Sequence, residues 1–134
     1  MEVPFAFLAD AANYSQSGTI NVLGIFNQVS ATNFPTVHPS MALVMRLEAS
    51  PAEYGQTKQL EIRLMDEDGN ALGSLSADLE IPPEESGRRV FIDHILNLRM
   101  TQFQRPGRYT YAILVGGEPK REVTLDLVQV QEGG

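Results

Sequence analysis

Between residues 88 and 101 apolar and polar positions alternate, with Val90, Ile92, His94, Leu96, Leu98 and Met100 on every second place. Successive side chains of a strand leave the pleat on opposite faces, so this period predicts a half-buried β-strand. Pro106-Gly107 follows as a turn, after which Tyr109, Tyr111, Ile113 and Val115 share one face of a further strand. Gly116-Gly117 then turns the chain into a last strand carrying Val123, Leu125 and Leu127 together. The same period runs through the first half. Phe5 and Phe7 share a face over residues 3–11, and Ile20, Val22 and Phe26 share one over residues 19–27. Gly24 interrupts that second strand and predicts a bulge or a close backbone approach. Leu43, Met45 and Leu47 alternate over residues 41–49. Leu60, Ile62 and Leu64 lead through Asp66-Glu67-Asp68-Gly69-Asn70 into Leu75, Ala77, Leu79 and Ile81, the pattern of a hairpin.

Two stretches predict connections instead. Residues 28–40 hold Phe34-Pro35 and His38-Pro39, and a residue before proline is pushed out of helical geometry, so this link is expected to be extended and non-helical. Residues 82–87 open with two prolines, which block a ladder, and are expected to form a loop. Helical periodicity is scarce. The expected fold is all-β: one domain spanning residues 1–134, an antiparallel β-sandwich of about eight strands, immunoglobulin-like. Gly107-x-Tyr109-x-Tyr111 carries that last term, because it resembles the tyrosine corner of such domains. Tyr109 is then expected to hydrogen-bond back to the loop near Gln104 and Arg105. The Cys, Trp, Cys spacing of antibody domains is absent, which leaves a jelly roll or a partly open barrel as alternatives.

Several of these segments also resemble an uncharacterised bacterial family known only as a domain of unknown function. The resemblance rests on Phe7-Leu8-x-Asp10, Gly18-x-Ile20-Asn21-Val22-x-Gly24-Ile25-Phe26, Phe34-Pro35, Leu43-Val44-x-Arg46-Leu47, Asp66-x-Asp68-Gly69 and Pro106-Gly107-x-Tyr109. It implies a compact β-sandwich with no assigned activity, and so supplies no catalytic residues.

Composition narrows the function. A chain of 134 residues with 43% hydrophobic and 20% charged residues has the make-up of a globular protein rather than a disordered one. Its formal net charge of -7 repels phosphate backbones and anionic lipid, so neither nucleic acid nor a membrane is the expected partner. The absence of cysteine excludes disulfides and zinc-thiolate sites, and no basic, apolar leader is recognisable at the start, so a cytoplasmic location is expected.

The residues offer little catalytic chemistry. Nucleophilic hydrolysis needs a nucleophile, a base and an orienting group, yet there is no cysteine and no G-x-S-x-G elbow, and His94 shares a face with Ile92 and Leu96. Asp66, Asp68 and Asn70 have the spacing of an oxygen-ligand calcium loop, but Ala71 and Ala77 stand where an EF-hand requires glycine and glutamate. A turn is the expected role, and no metal, cofactor or catalytic residue is assigned. Asp78 and Glu80 could serve a carboxylate-based enzyme only if they converged in a cleft. Sugar binding would fall to loop aromatics such as Tyr14, Phe34 and Tyr54.

Charge distribution adds one candidate surface. Residues 11–45 contain no Asp, Glu, Lys or Arg, while seven of the ten basic residues lie beyond position 87. Interface cores are depleted of charge, so the loops of the uncharged run, with Tyr14, Phe34, Val37 and His38, are the expected contacts for a protein partner or a second copy of the chain. The expected function is a non-catalytic binding or protein-interaction module. A carboxylate enzyme and a small-molecule or carbohydrate binder are the alternatives.

Overall fold

The computed structural model describes residues 1–83 and 87–131. It contains nine strands among the described residues, and no α-helix: β1 Glu2–Tyr14, β2 Ile20–Phe26, β3 Gln28–Ala31, β4 Thr36–Ala49, β5 Thr57–Met65, β6 Ala71–Glu80, β7 Val90–Phe103, β8 Gly107–Val115 and β9 Glu118–Gln129. They form a four-stranded sheet in the order β2-β1-β4-β7 and a five-stranded sheet in the order β3-β9-β8-β5-β6. The second sheet curls like half a barrel. Leu43, Met45 and Leu47 of β4 meet Leu60, Ile62, Tyr109, Ile113 and Leu125 of the other sheet in one core. The alternation read from the sequence therefore turns inward from both sides.

Three features depart from the expected pattern. The link over residues 28–40 contains β3, four residues paired in parallel with β9, and its end already belongs to β4, which pairs from Thr36 opposite Phe103. Four residues are too few for alternation to announce a strand. The chain passes from the first sheet to the second across Asn27, whose carbonyl accepts the Asp126 N–H, so this side of the molecule is stitched shut. The third departure is Met100, whose backbone lies at φ +52°. That left-handed residue reverses the pleat: Leu98 points into the core, Met100 is 68% exposed, and Phe103 takes over as the fully buried residue. Of the expected loop over residues 82–87, residues 84–86 lie outside the described residues.

Other expectations hold. Gly24 has φ +70°, and a Cβ there would collide with the Asp10 carboxylate of the paired strand, the close approach anticipated for it. Tyr109 Oη donates to the Arg105 carbonyl at 2.7 Å, and its ring meets Phe103 edge-on. The β5–β6 turn is held by Asp66, whose Oδ1 accepts the N–H groups of Asp68 and Asn70 at 3.0 and 2.9 Å. Those bonds pull the Asp66 carboxyl below its ordinary range, helped by Arg105.

The β1–β2 hairpin runs on past its pairing with β4 and lies across the outer side of that sheet. Ala42 and Val44, which point away from the core, are consequently buried too. Tyr14 carries the hairpin to β7, where its hydroxyl donates to the Asp93 carbonyl at 2.9 Å and accepts the Ile95 N–H at 3.1 Å. Farther along the same face the Arg46 guanidinium grips Asp93 and lies over the Phe5 and Phe91 rings.

Candidate binding seam between β6 and β7

Opposite the stitched side, β6 ends one sheet and β7 ends the other, and no ladder joins them. The two edges diverge over a cleft of about 380 Å³ lined by Ile62 and Leu64 of β5, Leu75 of β6, Leu98 and Arg99 of β7 and Tyr111 of β8. A separate, smaller cavity of about 30 Å³, sharing Ile62 and Leu75 with it, reaches His94 and Leu96. Its floor is aliphatic because the alternation of four strands points there. It stays open because nothing among the described residues pairs with both edges.

The two edges are defended differently. On β7, Tyr14 occupies one main-chain carbonyl and one N–H, Met100 kinks the strand, and Asp93 and Arg99 add charge. Such features are how sheets discourage further pairing. Along β6, residues 71–78 are all exposed, and Ala71-Leu72-Gly73-Ser74-Leu75-Ser76-Ala77 carries neither charge nor proline. Leu72 and Leu75 are 49% and 50% exposed. An edge of that kind is a template for another strand.

Two polar residues border this apolar surface. The Tyr111 side chain is 97% buried by its 3% exposure, and its hydroxyl has no hydrogen-bond partner among the described residues. Burial pushes the phenol up to about 12; Thr101 stands near enough to favour the phenolate slightly, but outside hydrogen-bonding geometry. Tyr111 is thus a protonated donor with nothing to donate to. Arg99 of β7 forms no ion pair among the described residues, and neither do Lys58, Arg88 and Arg121, whereas Arg46, Arg89, Arg105 and Arg108 are each matched to a carboxylate. His94, farther along, is held below its ordinary range by burial.

The residues expected to make contacts lie elsewhere. Tyr14 is 51% exposed but commits its hydroxyl to β7. Phe34 packs against the core, beside a cis bond to Pro35. Val37, 45% exposed, and His38, whose ring lies 5.9 Å from that of Phe26, belong to β4. None of the four lines the β6–β7 cleft. Asp78 and Glu80 are exposed on β6. Leu75, Leu98 and Tyr111 were legible as inward-facing positions, but alternation does not reveal that the sheets part above them. The unpaired charge of Arg99 had no sequence signal at all.

No curated protein matches the chain. Among solved structures, the alkylpurine DNA glycosylase AlkC of Pseudomonas fluorescens, bound to DNA containing an abasic site analog, superposes with a TM-score of 0.49 at 15% identity. The match covers 75% of this chain and 27% of that one, so the chain spans about a quarter of the glycosylase's length. A family model matches residues 4–128, nearly the whole chain, and the protein therefore belongs to DUF6941, a family of unknown function.

Proposed function

We propose that the protein is a non-catalytic interaction module that takes up an extended segment of a partner protein along β6, with alternate side chains of that segment entering the cleft. The observation that carries this reading is the uncharged, exposed run of residues 71–77 beside an aliphatic cleft. Strand addition uses such a pair of features: main-chain hydrogen bonds give affinity and pockets for alternate side chains give specificity. A small molecule would be better served by an enclosed pocket than by a trough along a strand edge. A second copy pairing β6 to β6 is less favoured. It would bring together two chains of net charge -7.

The fold reading that accompanies this is a sandwich of immunoglobulin type opened along one seam. Its support is the order β1-β4-β7 in one sheet against β9-β8-β5-β6 in the other, together with the tyrosine corner at the start of β8. In immunoglobulin domains of constant type the ABE strands are followed by D. The corresponding place beside β7 is the seam.

The test is a fluorescent, blocked, strand-length peptide with valine on one face and threonine and lysine on the other, titrated by anisotropy. It is expected to bind the parent protein and a control with Ile25→Lys on β2, and to lose binding to Leu75→Lys. Equal binding to Leu75→Lys, in a variant shown by its melt to be folded, would refute strand addition at β6.

A further inference from the structure

We infer that Tyr14 gates the narrow end of the seam: the segment that adds to β6 runs antiparallel to it, its N-terminal end meets Tyr14, and it extends farther along β7 only when that hydroxyl lets go. The inference rests on the strand-addition reading above and adds to it the direction of the segment and the residue that limits its length.

Direction follows from how the two edges face each other. In the wide cleft of about 380 Å³, Gly73 and Ser74 of β6 stand across from Arg99 and Thr101 of β7. In the small cavity of about 30 Å³, Ser76 and Ala77 face His94 and Leu96. Residue numbers rise along one edge as they fall along the other, so β6 and β7 run in opposite directions, and a strand laid between them is parallel to one and antiparallel to the other. The uncharged edge is β6, and antiparallel pairing is the commoner and slightly the more stable kind. The segment therefore runs antiparallel to β6 and parallel to β7, which puts its N-terminal end beside His94.

The second support is independent and lies on β7 itself. Tyr14 Oη accepts the Ile95 N–H at 3.1 Å and donates to the Asp93 carbonyl at 2.9 Å. Those are the two groups that a single residue of a parallel neighbour takes, its carbonyl on the N–H and its own N–H on the carbonyl two residues earlier. The hydroxyl thus stands in for one residue of the strand that β7 lacks, at the end of the seam where the segment begins. Farther along that edge, among the described residues, no side chain bonds the main chain of Asn97 or Arg99, so the wide end stays open to pairing. Tyr14 is 51% exposed and ends β1, so its two bonds compete with water and can be displaced at a modest cost.

Three peptides separate the possibilities: the valine-faced, strand-length peptide, and versions of it lengthened by about four residues, the span from Asn97 back to Asp93, at the N-terminal or at the C-terminal end. On the parent protein neither lengthening is expected to add affinity. Tyr14→Phe, which keeps the ring and removes both bonds, is expected to raise affinity for the N-terminally lengthened peptide about tenfold and to leave the other two unchanged. Amide exchange reads the same contact without a peptide: Ile95 is expected to exchange more slowly than Asn97 in the parent and as fast as Asn97 in Tyr14→Phe, and to slow again in the variant only with the N-terminally lengthened peptide. A gain for C-terminal lengthening instead, or no gain for either in a Tyr14→Phe variant shown by its melt to be folded, would overturn the gate; strand addition would still stand if all three peptides bind the parent and are lost in Leu75→Lys. No binding by any of the three at the limit of solubility would overturn both.

Discussion

Tyr111→Phe is expected to make the unbound protein more stable, although it deletes a polar group from a tyrosine at the heart of β8. The ring is retained, so packing against Ile62 and Leu98 in the cleft wall changes little. What disappears is a buried hydroxyl with no partner among the described residues. Leaving such a group unsatisfied costs about 1–3 kcal/mol, and its removal should return about 1 kcal/mol. With a urea m-value of about 2 kcal/mol per molar for a domain of this size, the midpoint rises by about 0.5 M at unchanged slope. Tyr109→Phe is the matched control on the same strand. Its hydroxyl donates to Arg105 at 2.7 Å, so the same chemical change there should lower stability by about 1 kcal/mol. Opposite signs for two Tyr→Phe variants two residues apart are the signature. A Tyr111→Phe midpoint below the parent's would mean that the hydroxyl is satisfied in the free protein, by Thr101 or by ordered water.

Other expectations follow from packing and charge. Leu43→Ala, at a fully buried site, should cost about 2–5 kcal/mol in urea unfolding, whereas Leu96→Ala, partly exposed at the seam, should cost only about 1–2 kcal/mol; equal losses would mean that the seam is closed in solution. Gly24→Ala should destabilise by about 1–3 kcal/mol, because φ +70° is unfavourable for alanine and the added methyl meets Asp10; a smaller loss in an Asp10→Ala background, read by thermal melting, identifies the collision. Burial works against the Glu53 carboxylate, but the Met1 amino group and the Ser50 N–H and hydroxyl outweigh it and hold the group at about 2 instead of 4.5. A depressed folded-state value stabilises above the unfolded one, so the gap in stability between the parent and Glu53→Gln should be full above pH 4.5 and close as pH falls toward 2; a constant gap would contradict the ion pair. Millimolar calcium should leave the melting temperature unmoved, since Asp66 Oδ1 already serves two turn N–H groups; a calcium-specific rise abolished by Asp68→Asn would show a bound ion instead.

The sequence was most informative where physics repeats with a short period. Ile92, Leu96 and Leu98, the β5–β6 hairpin, the Tyr109 corner and the close approach at Gly24 all follow from pleat, turn chemistry or a missing Cβ, which are local properties. Met100 shows where that logic ends. Its apolar side chain continues the alternation, yet a single left-handed residue reverses the pleat and hands the core position to Phe103. Tyr14 and Phe34 show a second limit. Both belong to an uncharged stretch, and the lack of charge in part reflects what they cover: Phe34 rests on the core, and the hairpin carrying Tyr14 shields the outer side of β4. The seam is a relation between two sheet edges distant in sequence. Nothing in the period of either strand reports how far apart they stand.

Amide hydrogen exchange, followed with and without the valine-faced, strand-length peptide, tests strand addition at the seam most directly. The free protein should exchange the outward-facing amides of β6 quickly, because that edge has no partner. Binding should slow those amides within residues 71–78 and leave β2 and β3, the edges on the far side, unchanged. Protection confined to β2 and β3, or affinity without any slowing in β6, would contradict strand addition at this seam.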